Sequence, residues 1–386
     1  MKAYLDNAAT TPVFAEVKEI MGQVLETDFG NPSSKHTMGI SAEGYIKTAK
    51  EQIAGSLKCK PGEIIFTSGG TESNNMAFFG TAIANKRAGR HIITTRIEHA
   101  SVHEPLAFLE ENGYDVTYLP VDANGHVEPE VLKQAIREDT FLVSVMYVNN
   151  EVGSVEPIET LAKIVHQANP KILFHVDAIQ SYGKYKIVPK NMGIDLMSVS
   201  GHKIHGPKGI GFLYVREGVK IRPILFGGGQ QKGMRSGTEN VPGIAGLGKA
   251  VELMYTGHLQ KKEELYRLKE LLVNELQSME GVTVNAIDIG IRNTAPHIVS
   301  ASFSGVKSEV MLHALAEKGV YVSSGSACSS NHPELSGTLQ AIGVNQALLD
   351  STLRFSFSVL TTEEEICYAV ACIKEVLPIL RRFTKH

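Results

Sequence analysis

From about Gly62 to Val215 the chain repeats one grammar: a short apolar run, a polar or glycine-rich turn, then an amphipathic segment. The apolar runs predict strands over Glu63–Thr67, His91–Thr95, Asp115–Leu119, Phe141–Val148, Lys171–Val176 and Asp195–Val199, with another over Gly209–Val215. Near-continuous apolar strands separated by amphipathic segments predict an α/β fold, with a mostly parallel central sheet and helices on both faces. From His258 to Met279 the pattern is that of one long amphipathic helix, with Leu265, Leu268, Leu272 and Leu276 along a single stripe. Beyond it the period changes. Strands are expected over Val282–Asn285, His297–Phe303, Val320–Ser323 and Leu353–Phe357, and helices over Ser308–Glu317 and Glu363–Leu380. Thr362 and Glu365 form a capping box for the last helix. This second pattern predicts a smaller α+β domain.

Composition narrows the picture without deciding it. The 386 residues, 43% hydrophobic and 20% charged, bury a sizeable core, and a net charge of -3 gives no electrostatic case for nucleic acid or an anionic membrane. The segment Met1–Asp6 lacks the apolar run of a signal peptide, and no stretch is long enough to span a bilayer. The four cysteines, at 59, 328, 367 and 372, show neither a metal-ligand spacing nor a disulfide framework, so a reducing cytoplasmic setting is expected.

In folds of this kind ligands gather beyond the carboxyl ends of the strands, and five strand ends here offer a polar group. Ser68-Gly69-Gly70-Thr71 opens a helix whose exposed N–H groups, with the Thr71 hydroxyl, suit a phosphate; a plain helix cap is the other reading. His99 opens the next helix as a capping residue or a functional imidazole, and Asn149 follows a later strand. Asp177 ends an apolar run, where burial is costly unless a cation or several donors meet it. Lys203, in Ser200-Gly201-His202-Lys203, sits in a tight turn among glycines and histidines, where a partly desolvated amine can attack a carbonyl. A pyridoxal phosphate site uses such a set: a lysine for the aldehyde, a carboxylate for the pyridine nitrogen and a phosphate anchor.

With Tyr4-Leu5-Asp6-Asn7-Ala8-Ala9-Thr10-Thr11, Gly30-Asn31-Pro32-Ser33-Ser34-Lys35-His36 and Met234-Arg235-Ser236-Gly237-Thr238-Glu239-Asn240 added in order, the whole chain resembles the NifS/IscS-type cysteine desulfurases. These are pyridoxal 5'-phosphate-dependent enzymes of the class V aminotransferase-like family. The resemblance implies a type I fold, with a large cofactor domain over 14–257 and a small domain made of 1–13 and 258–386. It implies that Lys203 carries the cofactor, His99 stacks on the ring and assists proton transfer, and Asp177 meets the pyridine nitrogen. Gln180 and Asn149 would address the phenolic oxygen or the substrate. Gly70, Thr71, Ser200 and His202 would hold the phosphate, joined by Thr238 from the other subunit of a homodimer.

Two features of the small domain carry chemistry. Cys328 lies in the small, polar stretch Ser323–Pro333, where a thiol is accessible, and the resemblance makes it the nucleophile. Cys367 and Cys372 read as packing groups of the last helix, and Cys59 as an incidental loop cysteine. Arg354, in the apolar strand Thr352–Ser358, needs a carboxylate: either an internal ion pair or the α-carboxylate of an amino acid substrate, which its planar fork suits. The implied reaction converts L-cysteine to L-alanine, leaving a persulfide on Cys328 for a sulfur-acceptor protein in Fe-S cluster or thiolated-tRNA synthesis. Leu380–His386 follows soon after the last helix, without the longer tail some such enzymes use to grip a scaffold. The alternatives are a selenocysteine lyase, a class V aminotransferase that needs no mobile cysteine, or a sulfur-carrying scaffold partner without turnover.

Overall fold

The computed structural model describes residues 1–324 and 335–383. A short strand β1 (Ala3–Tyr4) is followed by helices α1 (Ala15–Glu26) and α2 (Thr37–Leu57). The alternating region then runs β2 (Ile64–Thr67), α3 (Gly70–Ala84), β3 (His91–Thr95), α4 (Ala100–Glu111), β4 (Asp115–Leu119), α5 (Pro129–Ala135), β5 (Thr140–Met146), α6 (Ile158–Ala168), β6 (Leu173–Asp177), α7 (Pro189–Met192), β7 (Leu196–Ser200) and β8 (Gly211–Val215). Helices α8 (Val241–Tyr255) and α9 (His258–Gln277) lead to β9 (Val282–Val284), β10 (Ile298–Phe303), α10 (Ser308–Glu317), β11 (Val320–Tyr321) and β12 (Ser323–Ser324). Helices α11 (Gly337–Ala341) and α12 (Gln346–Leu349), strand β13 (Thr352–Ser356) and α13 (Glu363–Phe383) complete the chain.

The large sheet has the order β2-β8-β7-β6-β5-β3-β4. It is parallel from β4 through β3, β5 and β6 to β7, and β8 runs antiparallel between β7 and β2. The carboxyl ends of β2, β3, β5, β6 and β7 therefore share one edge. Apolar side chains cover both faces, as the continuous runs required. On one face α1, α2, α6 and α8 bury Val17, Ile53, Leu161 and Leu247 against Phe66, Val145 and Phe174. On the other, Phe78 of α3 and Val102 and Leu106 of α4 pack on Ile92, Leu142 and Leu196.

A separate core forms where β12-β13-β10-β9 meet α9 and α13, with Leu268, Leu272 and Leu276 of the predicted stripe set against Phe303, Phe355 and Ile373. Ala3 and Leu5 belong to this core, because β1 pairs with β11 and Asp6 bridges to Ser356. Thr362 and Glu365 cap α13 reciprocally, at 2.9 and 3.3 Å. No helix among the described residues is long and apolar enough to cross a membrane.

Candidate active site

At the shared edge lies a cavity of about 410 Å³, lined among others by Gly70, Thr71, His99, Asp177, Gln180, Ser200, His202, Lys203 and Arg354. Nine residues singled out in the sequence thus meet in one place. At its phosphate-like end Gly69 has φ 154°, a conformation that favours glycine. A side chain at Gly211 of β8 would press within 2.8 Å of the Gly69 Cα, so that glycine lets the turn lie against the sheet. The turn aims the amino end of α3 at the cavity beside Ser200 and Thr71.

At the floor, Asp177 is 3% exposed. Its Oδ2 accepts from Asn74 Nδ2 at 2.9 Å and its Oδ1 from the Ile179 N–H at 3.0 Å. Burial raises its carboxyl above the usual range, against the pull of these bonds and of His99 and Lys203. Both of these donors are neutral, so the buried carboxylate has room for a cationic partner. Glu98 lies behind it, pushed well up by burial and then by Asp177; its Oε1 accepts from Thr95 Oγ1 and the Met146 N–H, at 2.9 and 2.8 Å.

Lys203 Nζ donates to the carbonyls of Ala8 and Ala9, at 2.6 and 2.7 Å, so the segment after β1 forms one wall. Lys184, buried beside it, donates to the Lys203 carbonyl at 2.8 Å, and burial followed by the Lys203 charge lowers its amine to about 7. His202 Nδ1 lies 3.2 Å from Thr10 Oγ1, its pKa lowered to about 4 by burial and then by Lys203. His99 both caps α4 and lines the cavity. Burial lowers its pKa, opposed by Asp177. Gln180 donates to the Ala8 carbonyl at 3.0 Å.

Arg354 satisfies both sequence readings. It pairs with Asp6 at 2.9 Å, donates to the Asn150 carbonyl at 2.9 Å, and still lines the cavity. Two expected residues lie elsewhere. Asn149 is not in the lining: its Nδ2 donates to the Ile97 carbonyl, and its Oδ1 accepts from the N–H groups of Glu151 and Val152, which staples the turn after β5. Asn150 takes its place at the wall. Thr238 is exposed and outside the cavity of its own chain. Cys328 lies outside the described residues.

The sequence reading missed Asp6, Ala8, Ala9, Asn74, Ser101, Asn150 and Ser323. Of these, Asp6, Ala8 and Ala9 lie in the Tyr4–Thr11 segment that carried the resemblance without a role for them, and Asn74 left a signal as a polar residue one helical turn before Phe78 on a buried helix face.

The chain belongs to the class V aminotransferase family: residues 3–368 match the Aminotransferase class-V family model. Within that class the chain belongs to the cysteine desulfurase family. It is 44% identical over 387 aligned residues to "Cysteine desulfurase IscS" of Dictyoglomus turgidum (strain DSM 6724 / Z-1310), covering all of this chain and 97% of that one. A solved structure described as a NIFS-like protein superposes with a TM-score of 0.92 at 38% identity, over 98% of this chain and 100% of the other. A structure of SspA in complex with cysteine gives 0.81 at 37% identity, over 93% and 100%. Enzymes of this family depend in general on pyridoxal phosphate.

Proposed function

We propose that this chain converts L-cysteine to L-alanine and transfers the sulfur to Cys328 as a persulfide, with pyridoxal 5'-phosphate as its cofactor. The observation that carries the reading is Asp177: a carboxylate buried at the cavity floor beside neutral donors, with the Lys203 amine and the Arg354 guanidinium lining the same space. Such a set fits the cofactor's ring nitrogen, its aldehyde and a substrate carboxylate.

Bound there, the cofactor supplies an electron sink for the negative charge that develops on the substrate's α-carbon. Asp177 would accept a hydrogen bond from the protonated ring nitrogen and keep it charged. Lys203 Nζ would hold the cofactor's aldehyde carbon, and the same amine, next to the substrate's α-carbon, would move the α-proton. The amino end of α3, with the hydroxyls of Thr71 and Ser200 and the ring of His202, meets the phosphate. Thr238, exposed on its own chain, reaches the phosphate site of a second copy in a homodimer. Gln180 addresses the phenolic oxygen. Asn149 acts through the turn it staples, which places the Asn150 carbonyl on Arg354. Arg354 orients the substrate carboxylate.

The Cys328 thiolate attacks the substrate sulfur, an S–S bond forms as the C–S bond breaks, and the α-carbon fragment leaves as L-alanine after protonation. The segment carrying Cys328 begins just after Ser323, which lines the cavity and pairs across from Arg354. A sulfur-acceptor protein of Fe-S cluster or tRNA-thiolation chemistry then takes the persulfide sulfur. The separate cores support a division into a cofactor domain, 14–257, and a small domain of 1–13 and 258–386.

The test is alanine formation from L-cysteine, with reductant, by the wild-type chain and by Cys328→Ala. Alanine from the first and almost none from the second is expected. Equal amounts from both would remove Cys328 from the chemistry, and none from either would overturn the reading.

A further inference from the structure

His99 is joined to Asp177 by two residues to which the preceding mechanism gives no role. Asn74 Nδ2 donates to Asp177 Oδ2 and to Ser101 Oγ, both at 2.9 Å. Ser101 Oγ lies 2.9 Å from His99 Nδ1, and the Ser101 backbone N–H donates to the same nitrogen at 3.0 Å. Asn74 and Asp177 are 0% and 3% exposed, and Ser101 is 7% exposed.

The direction of every proton in this chain is fixed by what each group can do. An amide NH₂ carries two hydrogens, and both are committed: one to the Asp177 carboxylate, one to the Ser101 oxygen. The Ser101 hydroxyl, already accepting, turns its own hydrogen to His99 Nδ1. That nitrogen also faces a backbone N–H, which cannot reverse. Nδ1 is therefore the acceptor and the ring proton sits on Nε2, which makes no hydrogen bond to any described residue.

We propose that Asn74 and Ser101 are positioning residues that lock His99 as its Nε2–H tautomer and link the ring to Asp177. A second proton at Nδ1 would meet the Ser101 N–H head-on, so the imidazole faces the reacting groups as a neutral hydrogen-bond donor. The other charged or titratable groups around the ring act on top of this: Asp177 of β6 favours a charge, while Lys203 after β7 and Arg354 of β13 oppose it, and His103 lies one turn along α4. The significance for catalysis rests on the proposed desulfurase reading; the tautomer does not.

The experiment is nitrogen NMR of apoprotein labelled with ¹⁵N-histidine, the His99 signals being assigned by their loss in His99→Gln. In the wild type Nδ1 is expected to be the unprotonated nitrogen and Nε2 the protonated one. Ser101→Ala keeps the backbone N–H and with it the Nε2–H tautomer, but loses the hydroxyl donor to Nδ1 and should shift the His99 titration midpoint upward, and Ser101→Thr should restore it. A wild-type ring protonated at Nδ1 overturns the proposal even if the variants fail to fold. So does a Ser101→Ala protein with an unchanged midpoint. Because the apoprotein is observed, failure to make alanine would sink the desulfurase reading and leave this result intact.

Discussion

Arg354 Nη2 and Asp6 Oδ1 lie 2.9 Å apart and join strand β13 to the segment that follows β1. The guanidinium is 8% exposed and the carboxylate 23%. Its second nitrogen, Nη1, is held by the Asn150 carbonyl, while Nε has no partner among the described residues. The arginine is thus charge-balanced and oriented before substrate arrives, and the same segment that steadies it supplies the carbonyls that hold Lys203.

Removing the fork should act on substrate binding first. Truncating one partner of a buried charged contact costs about 2–4 kcal/mol, so kcat/KM of Arg354→Ala should fall on the order of 30- to 1000-fold, mainly through KM. Arg354→Lys keeps the charge without the planar fork and should recover only part of the loss. Steady-state kinetics against L-cysteine checks this, and an unchanged KM in Arg354→Ala would show that the carboxylate binds elsewhere.

Lys203→Ala should abolish covalent attachment of the cofactor. Mass spectrometry after borohydride reduction is expected to find pyridoxyl-lysine at position 203 of the wild type and nowhere in the variant. A labelled lysine elsewhere, for instance at Lys184, would transfer the attachment role to it.

The strands were legible because buried strands are short apolar runs: Asp195–Val199 in the sequence becomes Leu196–Ser200 in the fold, and His91–Thr95 is unchanged. The polar residues that end those runs were legible for the same reason, since a carboxylate or an amine at a buried strand end needs an explanation. Helix α8 left no such signal. Its glycines serve packing: a side chain at Gly248 would come within 2.8 Å of Ala49 Cβ, and one at Gly246 would meet Met21. Asn149 and Asn150 could not be told apart, because which of two adjacent amides turns inward depends on the Ile97 carbonyl, far away in sequence. The Asp6, Ala8 and Ala9 wall was hidden too, because it forms through contacts between opposite ends of the chain.

The loop around residue 230 packs on the large sheet. Gln231, at φ 50°, sets its side-chain amide against the edge strand β2, accepting from the Phe66 N–H at 2.8 Å and donating to the Phe66 carbonyl at 2.9 Å. It imitates one residue of a neighbouring strand just ahead of the Gly69-Gly70 turn. Gln231→Ala should destabilise the protein by about 1–2 kcal/mol, seen as a lower urea midpoint with unchanged slope. It should also uncover an edge that other chains can pair with, so more aggregation is expected on heating. An unchanged midpoint would mean that water replaces the amide at no cost.

Glu156 provides the pH test. It is 2% exposed, both its oxygens face the Val127 N–H at 3.2 Å, and burial, with Asp122 adding to it, raises its carboxyl from 4.5 to about 8. Between those two values the folded chain holds a proton that the unfolded chain has released. Stability therefore falls as pH rises across this window, by up to about 1.4 kcal/mol per pH unit from this group, and levels off above the folded value. Glu156→Gln can still accept from Val127 but does not titrate. Its stability relative to wild type should thus be flat below about pH 4.5 and rise steadily toward pH 8, opposite to the behaviour of a salt-bridged carboxylate. Urea unfolding of both proteins at several pH values measures the difference, and a constant gap across the window would show that Glu156 is ionised in the fold.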